Sequence, residues 1–379
     1  MNYDVIVVGS GLAGLYATLN LSKDLKILLI TKRDMLLNNS ALAQGGIASV
    51  CDKINDNFDL HIKDTLIAGG YKNDLHHVEM LVKEGPANIK NMIENYNVDF
   101  DKNSDGSYHL TLEGGHCRHR IYHHKDCTGL EIVQKLSKAV MQLSNVTVKT
   151  FHQVENIKKV GNTFHLEVLD ENGDFCYEKC HQLIMCSGGI GRVYEHTTNS
   201  AIATGDGIAL SYNLGAKIKN LHLIQFHPTA FKNQDTRECF LISESVRGEG
   251  AYLLNGNKER FMQNYDERLE LAPRDVVSSC IMKEAKKIGS DKFYLDITYK
   301  NAEAIKNRFP TIYEKLIEVG IDMTKDLIPV YPCHHYLMGG IDVNDNSQSS
   351  IEGLYACGEC SHTGVHGNNR LASNSLLEA

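Results

Sequence analysis

The stretch YDVIVVGSGLAGLYATLNLSKDLKILLITK, residues 3–32, constrains the fold more than any other part of the 379-residue chain. Val5 to Val8 form an apolar, β-branched run of the kind buried on both faces of a parallel sheet. Gly9, Gly11 and Gly14 follow as G-x-G-x-x-G and open an amphipathic helix carrying Leu12, Leu15, Leu19 and Leu21. Gly9 permits a tight turn, Gly11 lets a pyrophosphate approach the backbone, and Gly14 lets the helix pack closely on the strand. The free N–H groups at the helix start would hold the phosphates. Alone, the glycine pattern is a weak signal; between a strand and a helix it predicts a dinucleotide site. The second strand ends Ile30-Thr31-Lys32, where an acid for the adenosine ribose usually stands, so nicotinamide specificity is not written there.

The chain is long enough for a sizeable core and two domains. A net charge of −8 argues against a general nucleic-acid or anionic-membrane surface. The longest apolar runs, such as VIVV and ILLI, are strand-sized rather than membrane-spanning. Asp4 interrupts any signal-peptide pattern at the N-terminus. Eleven cysteines without a disulfide rhythm read as reduced thiols, which points to a cytoplasmic protein.

Three further glycine-rich stretches bear on the cofactor: SALAQGGIASV (40–50), ATGDGIALSYNLGA (203–216) and GLYACGECSHTGVHGNNRLASNSLLE (353–378). Each by itself reads as an ordinary loop. Together with AQGG, HPTA, RGEG, APRD, HHYLMGG and NRLASNSLLE, in this order after the N-terminal turn, they carry a resemblance. From Tyr3 to Glu378 the sequence resembles the flavoproteins of the succinate dehydrogenase, fumarate reductase and L-aspartate oxidase family.

The resemblance implies an α/β fold with a Rossmann-like FAD-binding domain of the glutathione-reductase type in two segments, 1–220 and 337–379. An α+β capping domain would be inserted at 221–336, and the family's C-terminal helical domain is expected to be absent. The implied cofactor is FAD. Gly9, Ser10, Gly11, Leu12, Ala13 and Gly14 would form the pyrophosphate turn, with Lys32 on the adenosine side and Asp206 supporting the adenine half. Asn39, Ser40, Ala41, Leu42, Ala43, Gln44, Gly45 and Gly46 would lie along the isoalloxazine, and Glu359, Ser375 and Leu376 against the ribityl chain and ring. Membrane-complex members of the family tether FAD through a histidine five residues before the glutamine of AQGG. Here that position is Asn39, so the flavin is expected to be non-covalent.

On the substrate side, His227 (QFHPTA) and His335 (HHYLMGG) resemble the family's carboxylate-binding histidines. Arg370 (NNRLASN) would clamp a carboxylate bidentately, and Arg274 (APRD) matches the family's active arginine. Gln225, Leu241, Ser243 and Glu244 would complete the pocket. Read without the family, a histidine before proline is an ordinary turn or core residue, and Arg274 beside Asp275 is an ordinary helix-surface pair.

The stretch LTLEGGHCRHRIYHHKDCTG, residues 110–129, invites a metal reading, but no pair of pairs has structural-zinc spacing and none is predicted. Cys357 and Cys360 form a lone C-x-x-C on the expected flavin turn and read as incidental. Where succinate and fumarate enzymes carry phenylalanine before two glycines, this chain has Glu113, as the aspartate-oxidising branch does. A carboxylate there suits a substrate that differs from succinate by an ammonium group. His116, His119, His123 and His124 are expected to line or support the pocket mouth.

The resemblance therefore implies oxidation of L-aspartate to iminoaspartate, with dioxygen or fumarate as acceptor and hand-over of the product to quinolinate synthase. A soluble fumarate reductase is the alternative within enzymes. A flavin-binding module without turnover is the alternative outside them, because the sequence stops at SLLEA as the last flavin-binding helix begins.

Overall fold

The computed structural model describes residues 2–51, 54–231 and 238–379. The strand Asn2–Val8 lies inside a seven-stranded sheet. It pairs in parallel with Ile27–Ile30 on one side and Phe175–Met185 on the other, and Val146–Lys149 extends the parallel set beyond Ile27–Ile30. Val5, Val7, Ile27 and Leu29 enter one hydrophobic cluster, while Ile6, Leu28 and Ile30 enter another on the opposite face. Both faces are covered, which is why the run is apolar without alternation. The helix spans Leu12–Asn20; Leu21 falls just outside it in extended backbone, at the polar turn that begins with Ser22.

The strand Phe175–Met185 changes partner along its length. Residues 175–180 pair antiparallel with Thr163–Leu169, itself paired with Gln153–Val160. Leu183, Ile184 and Met185 instead pair in parallel with Leu354–Ala356. The C-terminal segment thereby returns to the sheet that the N-terminus began.

A second, five-stranded antiparallel sheet runs in the order Phe240–Leu241, Ile224–Phe231, Ile328–Leu337, Phe293–Asp296, Tyr252–Leu254. It has its own core, in which Ile242, Val246, Phe261, Val277, Leu295, Phe309 and Val330 are buried. The helices Arg274–Ile288, Ala302–Arg308 and Pro310–Glu318 belong to this unit. Among the contacts that tie it to the first unit are those around Asp126 and Lys125. The Asp126 carboxylate accepts from the backbone N–H of Thr311 (3.2 Å) and Ile312 (2.8 Å), and Arg308 donates to the Lys125 carbonyl.

A three-stranded ribbon of Ile47–Ala48, Ile121–Tyr122 and Leu110–Thr111 carries the loop that holds Glu113. Among the described residues, no helix is long and apolar enough to cross a membrane. All eleven cysteines are free thiols.

Candidate active site

Two clefts meet above the C-terminal end of the first strand. One, of about 900 Å³, is lined by Gly9, Ser10, Gly11, Ala13, Lys32, Asn39, Ser40, Asp206 and Glu359, among others. The second, of about 1100 Å³, shares Asn39, Ser40 and Glu359 with it and continues along Leu42, Ala43, Gln44, Gly45 and Gly46. Its far walls include Glu113, His227, Leu241, Ser243, Glu244, Arg274, His335, Arg370, Ser375 and Leu376. One continuous channel thus joins the glycine turn to the charged residues.

The turn at the head of the channel has the sterics of a dinucleotide-binding strand–turn–helix. Gly9 has φ +114°, and a Cβ there would lie 2.1 Å from the Cys186 carbonyl oxygen. A Cβ on Gly14 would lie 1.9 Å from the Gly9 oxygen, so helix and strand approach as closely as backbone allows. At the adenosine end Lys32 is not left free for a phosphate: its ammonium pairs with Asp206 at 2.5 Å and reaches Thr204. At the other end Asn39 accepts from the Ser200 N–H (2.9 Å). A carboxamide so placed offers no nucleophile for a covalent flavin bond. Burial pushes the Glu359 carboxyl up to about 7, and it accepts from the Leu337 N–H.

Three of the expected cofactor residues do not line the channel. Leu12 turns its side chain into the core while its N–H is held by Ser40 Oγ at 3.0 Å; Gly14 is a packing glycine; Ala41 packs behind the loop. Gln225 is not part of the wall either. It is 2% exposed and sits behind both arginines, its Oε1 accepting from Arg274 Nη1 and Arg370 Nη2 at 3.1 Å each. Its amide donates to Asn369 Oδ1 and the Arg370 carbonyl at 2.7 Å.

Arg274 reaches the site as the first residue of its helix, straight after Pro273. Its Nε contacts Glu244 Oε2 at 2.5 Å, and the other Glu244 oxygen faces the Arg247 guanidinium at 3.4 Å. Burial opposes ionisation of Glu244, but Arg274 and Arg247 hold its carboxyl below the usual range. Arg370 lies over the Tyr336 ring, 4.6 Å from its centroid, and that tyrosine donates to Glu378. Burial and the neighbouring Arg274 lower the Arg370 guanidinium to about 10.

The strand Ile224–Phe231 breaks register between His227 and Ala230, where Pro228 supplies no N–H. There His227 Nδ1 accepts from the Thr229 N–H (3.2 Å), leaving Nε2 as the protonated nitrogen, buried and without a partner. His335 is anchored through Nδ1 to Thr198 Oγ1 at 2.7 Å. Burial, then Arg274, holds both rings well below the usual histidine pKa, so both are neutral near pH 7. Glu113 is 2% exposed and accepts from Ser373 Oγ (2.5 Å) and Ser245 Oγ (2.9 Å). Burial and then nearby Glu244 raise its pKa.

Sequence reasoning assigned no role to Arg247, Tyr336 or Ser373. Arg247 had a usable signal: it stands three residues after Glu244, on one helix face. None of His116, His119, His123 and His124 lines either cleft, which corrects the lining half of the expectation; His116 instead stands behind the wall, its backbone N–H on the Glu113 carbonyl and its Nε2 on the Ala372 carbonyl. Among the described residues no cluster of potential metal ligands occurs.

The fold and channel define a dinucleotide-dependent flavoprotein oxidoreductase. The family profile described as an FAD binding domain matches residues 4–376. An L-aspartate oxidase of Acinetobacter baylyi is 44% identical, covering 100% of this chain and 71% of its own length. One from Clostridium perfringens is 45% identical over 99% of this chain and 84% of its own. Among solved structures, a quinol fumarate reductase variant of E. coli superposes with TM-score 0.94 at 31% identity, covering 100% of this chain and 68% of that one. The chain belongs to the L-aspartate oxidase family of FAD-binding flavoproteins. Its cofactor is FAD.

Proposed function

We propose that this chain oxidises L-aspartate to iminoaspartate with non-covalently bound FAD, opening the route to quinolinate and NAD. One observation carries the choice of substrate: a buried carboxyl, Glu113, opens on the same cleft as Arg274, Arg370, His227 and His335. L-Aspartate is two carboxylates and one ammonium, and the cleft offers complements to all three.

The Arg370 fork and the free Nε2–H of His227 suit one carboxylate, while Arg274 and His335 suit the other. Glu113 would pair with the ammonium and orient Cα. Loss of hydride from Cα requires the nitrogen lone pair, so one ammonium proton must leave. The raised pKa of Glu113 suits it to take that proton. FAD, which the glycine turn of Gly9 to Ala13 and the 39–46 loop would hold, would supply the two-electron acceptor for that hydride and the route of its electrons to dioxygen, giving hydrogen peroxide, or to fumarate, giving succinate. When fumarate is the acceptor a proton must also reach its carbon, and the contacts Arg274–Glu244–Arg247 form a buried path that leads to the cleft.

The five-stranded unit, assigned to 221–336, would act as a cap that excludes water from this chemistry. An α-imino acid hydrolyses in water, which favours direct hand-over to quinolinate synthase. Eleven free thiols support a cytoplasmic setting.

The test is anaerobic addition of L-aspartate to the yellow protein, with succinate as control. Aspartate is expected to bleach the flavin absorbance and succinate to leave it; no bleaching with aspartate sinks the proposal. Glu113→Gln should lower kcat/KM for aspartate by at least roughly 10- to 100-fold, the scale of one charged hydrogen bond, and spare fumarate reduction.

A further inference from the structure

The histidine-rich run left without a function by the cleft geometry contains a buried network. Arg120 is fully buried. Its Nε and Nη2 form a fork on Asp56 at 2.7 and 2.9 Å, and its Nη1 donates to Asp64 at 2.6 Å. The same Nη1 lies 3.0 Å from His116 Nδ1. Because a guanidinium can only donate, Nδ1 must accept, which puts the ring proton on Nε2. That nitrogen lies 2.8 Å from the Ala372 carbonyl oxygen and donates to it. His116 is therefore a neutral strut of fixed tautomer between a locked arginine and the backbone of the C-terminal loop.

What the strut holds is the next residue. Ser373 has φ +59°, left-handed backbone that a residue with a Cβ adopts only under restraint. Its hydroxyl points at Glu113 Oε2, 2.5 Å away. The two ends of the device also meet directly, since the His116 N–H donates to the Glu113 carbonyl at 3.1 Å. On the other side of the loop, His61 Nε2 bonds Asn374 Oδ1 at 2.9 Å, pinning the residue after Ser373.

We infer that His116 is a positioning residue for amine recognition: through Ala372 and Ser373 it fixes the carboxyl of Glu113 where the substrate's ammonium arrives. The inference rests on the reading of Glu113 given above. A strut that serves only Glu113 affects substrates that carry an amine and spares those that do not. A generally structural residue affects both.

The experiment measures kcat/KM for L-aspartate oxidation and for fumarate reduction with the flavin-loaded protein. The variants are His116→Phe, His116→Gln, Ser373→Ala and Glu113→Gln, with the double variant His116→Phe/Glu113→Gln. His116→Phe is expected to lower kcat/KM for aspartate by on the order of tenfold or more and to leave fumarate reduction within about threefold. His116→Gln keeps a donor for the Ala372 carbonyl and should recover part of the loss. Ser373→Ala removes one hydroxyl and should reproduce the pattern even if His116→Phe does not fold. In the Glu113→Gln background, His116→Phe should add almost nothing. Equal losses on both substrates, or additive losses in the double variant, would overturn the inference. If Glu113→Gln is itself silent, the reading of Glu113 fails and takes this inference with it. If Glu113→Gln impairs aspartate while His116→Phe and Ser373→Ala do not, only this inference fails.

Discussion

Replacing Gln225 with leucine should disable both directions of the chemistry without touching a group that meets substrate. Gln225 Oε1 accepts from Arg274 and Arg370 at 3.1 Å each, so one oxygen holds two guanidinium groups in a common frame. The two cations also repel, and after burial Arg274 is the next influence that lowers the Arg370 guanidinium. Leucine has similar bulk and no acceptor. A hydrogen bond to a charged group is worth about 1.5–3 kcal/mol. If the freed N–H groups regain half of what they lose from water, the net loss is roughly one such bond. That corresponds to about a 10- to 150-fold drop in kcat/KM. Because aspartate and fumarate both present two carboxylates, the drop should be similar for the two.

The same substitution leaves Asn369 Oδ1 and the Arg370 carbonyl without the donors they now have, which adds about 1–3 kcal/mol of destabilisation. Peroxide production against aspartate concentration, fumarate reduction with an artificial electron donor, and thermal unfolding together separate the two effects. A folded, flavin-loaded Gln225→Leu protein with both kcat/KM values within about twofold of the parent would refute the reasoning.

Acid should unfold the protein through its buried histidines. Burial lowers His61 and His334 from 6.5 to about 4, so below pH 6.5 the unfolded chain binds protons that the folded one refuses. Their contribution is intact above pH 6.5 and is lost as pH falls toward 4, by on the order of 3 kcal/mol each; a denaturant midpoint unchanged between pH 7 and 4.5 would contradict this. Asp126→Ala removes the carboxylate that accepts from Thr311 and Ile312 at the start of Pro310–Glu318, and should cost about 1–2 kcal/mol in a denaturant titration. Aspartate binding should release a proton from Glu113 in the pH range just above 4.5, where its raised pKa keeps it protonated, whereas succinate should not. Calorimetry in two buffers of different ionisation enthalpy reads that difference directly, and equal proton release by both ligands would count against Glu113 as the ammonium's partner.

What the sequence disclosed and what it hid divide by distance along the chain. The strand, glycine turn and helix of residues 2–20 are legible because their signals (an apolar run, fixed glycine spacing and helical periodicity) are local, even though the strand's partners lie as far off as Phe175–Met185. Arg274 and Arg370 could be named as candidates from short motifs. That one glutamine would hold both could not, since its partners lie 49 and 145 residues away. The histidine run misled for the same reason. Its density suggested residues that line or support a pocket mouth; none lines it, because Arg120 and His116 are turned inward by Asp56 and Asp64, more than fifty residues upstream. Local composition states which chemistry is on hand; only the fold states which way it faces.

The charges around the second cleft explain how one pocket could serve two substrates of different charge. Arg274, Arg370 and Arg247 bring three guanidinium groups, against which Glu244 is held ionised and both histidines are held neutral. The remaining excess is positive, and a dicarboxylate such as fumarate meets it with two negative charges. L-Aspartate brings the same two carboxylates and one ammonium, so it leaves one more positive charge in a buried space. A permanently ionised carboxylate beside that position would repel fumarate; a permanently neutral residue would leave the ammonium unpaired, at a cost of several kcal/mol. Glu113 is neither. Burial and Glu244 raise its pKa, while Ser373 and Ser245 are placed to hold its charged form. A carboxyl so balanced can be neutral opposite fumarate and ionised opposite the ammonium of aspartate, and that single proton is the difference the pocket has to accommodate.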